Sequence, residues 1–117
     1  MANITLDDVN RFLSAFKAKA SVFGIKYRDD RIKNNESLLN LGITMIKREE
    51  IIMSVEKKDY SAGPVLNTLN EDGDMWIFGK DYKGVEIYIK ISLGPDGRSV
   101  CISFHESEHP MTYPFKI

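Results

Sequence analysis

The sequence predicts an α+β domain in which two to three helices pack on one face of a small antiparallel sheet ending in a three-strand meander. Residues 75–105 hold three runs rich in β-branched and aromatic residues, MWIFGK, VEIYIKISL and SVCISFH, separated by the turn-forming segments DYKG and GPDGR. The middle run alternates, with Val85, Ile87, Ile89 and Ile91 on one face and Glu86, Tyr88, Lys90 and Ser92 on the other. The third run sets Val100, Ile102 and Phe104 against Cys101, Ser103 and His105 in the same way. The apolar face needs helical cover, and the polar face is expected to stay open to solvent.

The elements follow in order. Thr5 and Asp8 form a capping pair, and Leu6, Val9, Leu13, Phe16 and Ala20 recur at helical spacing, which predicts a helix over about Leu6 to Ala20. Val22 to Arg28 reads as a short strand, weak at Gly24, that can pair with an edge of the meander. A second helix is predicted over about Glu36 to Leu41, with Asn34-Asn35 before it as cap residues and Gly42 stopping it, and a third over about Lys47 to Val55, with Thr44 before it as a cap. The charged face of that third helix is Lys47, Arg48, Glu49 and Glu50. Glu56 to Asp74 reads as a long connection with turn signals at Gly63-Pro64 and Asp72-Gly73. After the meander, Met111, Tyr113 and Phe115 are expected to pin an extended tail across the surface.

The chain has 117 residues, enough for one domain over 1–117 with a core of its own. A formal net charge of −1 excludes nucleic-acid binding by bulk electrostatics. Seven Lys/Arg against four Asp/Glu make residues 1–35 basic, whereas 36–73 hold four against seven. Charge alone fits a mixed solvated surface, with a local anion patch as the sharper reading. A single cysteine, Cys101, allows no intrachain disulfide and suits a reducing compartment. The opening MANITLDDVN lacks the features of a signal peptide, and no apolar run approaches the roughly 20 residues that span a bilayer, so a cytoplasmic protein with no membrane partner is expected.

Three residues of the polar face carry chemistry. His105 ends its strand on the side of Ser103, and a histidine so placed is most often a plain surface residue. Histidine as a residue type, with an unperturbed pKa of about 6.5, nevertheless suits proton transfer near neutrality. Tyr88 is a cross-strand packing residue in the bland reading and a base-stacking or phosphate-bonding group in the sharper one. Lys90 and Lys80 are ordinary solubilising lysines unless a phosphate meets them. His105 and His109 are four apart, but Pro110 argues against a helix there, so no metal and no cofactor are expected. There is no glycine-rich phosphate loop, no Ser/His/Asp constellation and no dinucleotide fingerprint.

Taken together, the order and the strand residues resemble the MqsR-type toxins of bacterial toxin–antitoxin systems, small ribonucleases with a RelE-like fold. The likeness rests on Leu38-Leu39 and Leu41-Gly42, on Asp59-Tyr60 after the third helix, and on Trp76 opening the meander. It rests also on Glu86 to Ile91 (EIYIKI) and on Ile102-Ser103-Phe104-His105. The resemblance implies metal-independent cleavage of mRNA in the cytoplasm, restrained by a cognate antitoxin protein. It places Tyr88 at the family's active-site tyrosine, Lys90 at a lysine of the middle strand, and His105 where the family carries a lysine. Two positions depart: no lysine stands in Ser61-Ala62-Gly63-Pro64, and Ile77 follows Trp76 where a glutamine is usual.

The expectation is therefore a RelE-like endoribonuclease. His105 acts as general acid or base, Tyr88 positions the substrate, and Lys90 stabilises charge. Lys80, Lys26 and Arg28 contact RNA phosphates, the last two from a strand expected to border the meander. The alternative is a catalytically inactive protein-binding module on the same fold, favoured by the near-neutral charge and the two departures.

Overall fold

The first helix, α1 (Leu6–Phe23), starts where Thr5 and Asp8 satisfy each other's backbone N–H groups, and it turns Val9, Phe12, Leu13, Phe16 and Ala20 inward. The computed structural model describes residues 3–29, 32–65, 74–94 and 96–116. The helix continues past Ala20 and stops at Gly24, whose φ of +76° suits glycine and whose N–H bonds to Ala20 O at 2.8 Å. The glycine that looks like a weak spot in a strand is thus a helix stop. The strand β1 shortens to Ile25–Tyr27.

The second helix, α2 (Ile32–Leu41), begins before Glu36 because Asn34 serves the sheet rather than a cap. Its amide donates to the carbonyls of Arg28 and Ile102, each at 3.1 Å, and accepts from Phe104 N–H at 3.0 Å. Three residues on, Ser37 Oγ accepts from Glu106 N–H at 3.1 Å. These two side chains occupy the edge of the last strand where β1 has ended, so an otherwise open edge is closed. The third helix, α3 (Met45–Met53), is capped by Thr44 and buries Ile51, Ile52 and Arg48. Arg48 does not lie on a charged outer face: it is 1% exposed, bonded to Asp29 at 2.8 Å, with its guanidinium 3.6 Å above the Tyr27 ring.

A 3₁₀ turn (Lys57–Asp59) leads into β2 (Tyr60–Val65), then β3 (Met75–Tyr82), β4 (Val85–Leu93) and β5 (Ser99–Glu106). The expected long connection thus contains a strand. An edge strand tolerates Pro64, which has no N–H to give, and β2 pairs with β3 in a broken register. Asp72-Gly73 lies outside the described residues. The sheet has the order β1-β5-β4-β3-β2, with β1 parallel to β5 and the other pairs antiparallel. It is therefore a five-stranded mixed sheet rather than an antiparallel one, in an α+β molecule with three helices.

The core forms between the helices and one sheet face. Phe12 stacks on Trp76 at 4.8 Å, and Phe16, Phe78, Ile87, Ile89, Ile91 and Phe104 are fully buried around it. One irregularity reorders the predicted faces. The β4–β5 register passes from Lys90↔Ser103 to Ile91↔Cys101, a bulge that takes up Ile102. Strict alternation sends Cys101 to the open face, but the bulge turns it into the core, and Val100 comes to lie opposite Ser92 instead.

The tail is pinned largely as expected. Tyr113 lies so close over Gly79 that a Cβ there would overlap its hydroxyl, and Phe115 packs 5.4 Å from Tyr60. Among the described residues, no helix is long and apolar enough to cross a membrane.

Candidate functional site

Strand alternation builds the site. Because Phe78, Ile89 and Phe104 face the helices, their neighbours Ile77, Lys90 and Ser103 face the other way in one cross-strand row. The next row places Tyr88 directly beside His105. A cleft of about 480 Å³ lies over these rows. It is bounded by Ser61 and Ala62 of β2, by Lys33 of α2, and by the tail from Ser107 to Met111.

The structure thus brings Tyr88, Lys90 and His105 together on one solvent-facing surface. The Tyr88 and His105 rings stack with centroids 5.1 Å apart and planes 12° apart, and Lys90 Nζ is 5.8 Å from the Tyr88 ring centre. His105 Nδ1 lies 2.9 Å from the Glu106 carbonyl oxygen. A carbonyl only accepts, so this contact selects the tautomer protonated on Nδ1 and leaves Nε2 as the proton-accepting nitrogen.

Three other predicted residues stand elsewhere. Lys80 pairs with Ile87, so it faces the helices, and its ammonium is 3.3 Å from Asp59. It does not reach the cleft, because it stands two positions from the inward Phe78 and an odd number of positions from the outward Ile77 and Gly79. Lys26 sits on β1, which does border the meander, but opposite Val100 and away from the cleft lining. Arg28 follows β1, its N–H held by Cys101 O at 3.0 Å, and it too lies outside the lining.

Sequence reasoning missed Lys33, Ser103, Glu108 and His109, all of which line the cleft. Ser103 was legible from parity. The others depend on the tail folding back and on α2 starting early, and nothing in local pattern signals either. Lys33 and Glu108 form an ion pair across the rim. The hydrogen bond from Lys33, and then its charge, hold the Glu108 carboxyl below the usual carboxylate range, with His105 and His109 adding smaller effects.

The tail owes its position to Glu86. This carboxylate accepts from Met111 N–H at 3.0 Å and from the Tyr113 hydroxyl at 2.6 Å. Burial, followed by the bond to the Glu86 carboxylate, raises the Tyr113 pKa, so the phenol stays protonated as the donor. Among the described residues, no group of three or more His, Cys, Asp or Glu side chains is placed to hold a metal.

No protein-family model, curated protein or solved structure matches the chain. The site's chemistry is accordingly read from its own side chains: two imidazoles, one with Nε2 left to accept a proton, two ammonium groups, a carboxylate, an aromatic platform and several hydroxyls.

Proposed function

We propose that the cleft binds single-stranded RNA and cleaves it without a metal, and that the protein is the toxin of a toxin–antitoxin pair, of MqsR type with a RelE-like fold. The observation that carries this reading is the meeting of Tyr88, Lys90 and His105 in one cleft on the open sheet face. Helices on one side and a meander presenting its polar side on the other also support it.

In the proposed reaction, His105 Nε2 takes the proton of a ribose 2′-hydroxyl. The O2′ attacks the adjacent phosphorus and the P–O5′ bond breaks. The products are a 2′,3′-cyclic phosphate and a 5′-hydroxyl, whose proton comes from water or from His109. Lys90 offsets the negative charge that builds on the phosphoryl oxygens. Tyr88 orients the imidazole from beneath and offers its edge to the substrate. Apolar side chains left in solvent on the helices, Ile32 and Leu39 on α2 and Met45 and Ile46 on α3, support a protein partner such as an antitoxin.

The test is incubation of the purified protein with a mixed-sequence transcript and with ribosome-bound message, in excess chelator. The reading predicts cleavage that leaves 2′,3′-cyclic phosphate ends and spares a fully 2′-deoxy strand. If the folded protein cuts neither substrate, the protein-binding module replaces this reading.

A further inference from the structure

The tail brings a carboxylate into a cleft whose other formally charged lining groups, among the described residues, are the lysines Lys33 and Lys90. Ser107 N–H donates to Glu86 O at 2.8 Å, and the Glu86 side chain holds Met111 and Tyr113. The segment between these anchors forms one wall, and Glu108 projects from it to Lys33. Among the described lining residues, Lys33 and Lys90 are the ammonium groups, His105 and His109 the imidazoles, and Glu108 the acid. A phosphodiester carries the same single negative charge as that carboxylate and is attracted by the same groups. The pair is also loosely held. The Lys33 and Glu108 side chains are 65% and 55% exposed, and exposed pairs are screened and easily exchanged.

We propose that Lys33 is a phosphate-binding residue of the cleft and that Glu108 is its resident competitor, a carboxylate the substrate phosphodiester must displace. The proposal rests on the cleft being an RNA site, but neither residue takes part in the cleavage chemistry described above. The tail then sets a threshold for binding. A strand that supplies a phosphate at Lys33 exchanges one anion for another, whereas an uncharged ligand leaves the pair intact. Removing the carboxylate frees Lys33 and adds one positive charge to the cleft. Nucleic acid then binds more tightly, and its affinity falls more steeply with salt, because Lys33 now engages a phosphate without releasing a carboxylate.

The experiment measures binding of a 2′-O-methyl oligonucleotide, which cannot be cut, by fluorescence anisotropy across a salt series. The proteins are the wild type, Glu108→Gln, Lys33→Met and the double variant, each checked for an unchanged melting temperature. Glu108→Gln is expected to bind about 2- to 5-fold more tightly and Lys33→Met more weakly by a similar factor, the range that an exposed pair supports. The double variant is expected to match Lys33→Met, because the competitor acts only through Lys33. Unchanged or weaker binding by Glu108→Gln overturns the proposal. So does a gain that persists undiminished in the Lys33→Met background, or no binding by any of the proteins. Binding with this pattern, alongside an all-ribose strand left uncut, would support the proposal while removing the catalytic reading. Cleavage of the ribose strand without the pattern would do the reverse.

Discussion

His105, Tyr88 and Lys90 meet because residues two apart on a strand share a face and directly paired residues on neighbouring strands touch. That much was legible from VEIYIKISL and SVCISFH. Cys101 was not, because a bulge one residue long reverses the facing of everything before it, and no composition signal marks Ile102 as the extra residue. The consequence is a thiol buried in the core, with its pKa pushed up to about 12 by burial, an effect only partly offset by Arg48. The native protein is expected not to react with an aromatic disulfide reagent at pH 8, whereas the denatured chain reacts fully. Linkage gives a second readout. The unfolded thiol ionises near pH 9 and the native one near 12, so the stabilisation is complete below 9 and is lost as pH rises between the two values. Urea midpoints of wild type and Cys101→Ala are expected to diverge there, with the wild type losing up to about 1.4 kcal/mol more per pH unit.

At the scale of elements, side chains that a local pattern assigns to caps and loops were recruited to finish the sheet. Asn34 looks like a cap, but its amide stands in for a missing strand beside β5. Asn34→Ala leaves Ile102 O and Phe104 N–H buried without that partner and is expected to cost roughly 2–6 kcal/mol, at about 1–3 kcal/mol for each orphaned group. Chemical denaturation measures it, and a loss below 0.5 kcal/mol, by order of magnitude the ~0.5 kcal/mol of an ordinary surface change, contradicts the bridging role. The apolar stripe of α1 was readable because helical periodicity is a local property. β2 was not, since Gly63-Pro64 reads as a turn and its strand pairing comes only from β3. The three apolar side chains of the tail were a fair signal that it docks, and the seat left by Gly79 explains where. That the same tail walls the cleft depends on Glu86, whose anchoring role follows from contacts far apart in sequence.

The whole molecule divides its work between the two faces of one sheet. Helices and core occupy one face, and the cleft the other. Net charge is nearly zero, so in the proposed reading attraction of RNA comes from the local lysines of the cleft, Lys33 and Lys90, rather than from the global field. This division also explains why Lys80 was misassigned: as a strand lysine it looks equivalent to Lys90, yet it pairs with Ile87 on the helix side and is neutralised by Asp59. The most direct measurement of the central claim is therefore the rate of RNA cleavage in excess chelator by wild type, His105→Ala and Lys80→Ala. If the proposed catalytic site on the open face is right, His105→Ala is expected to lose about 10²- to 10⁴-fold, as removal of a general base does, while Lys80→Ala stays within a few-fold of wild type. Equal cleavage by His105→Ala, or a loss confined to Lys80→Ala, would contradict it.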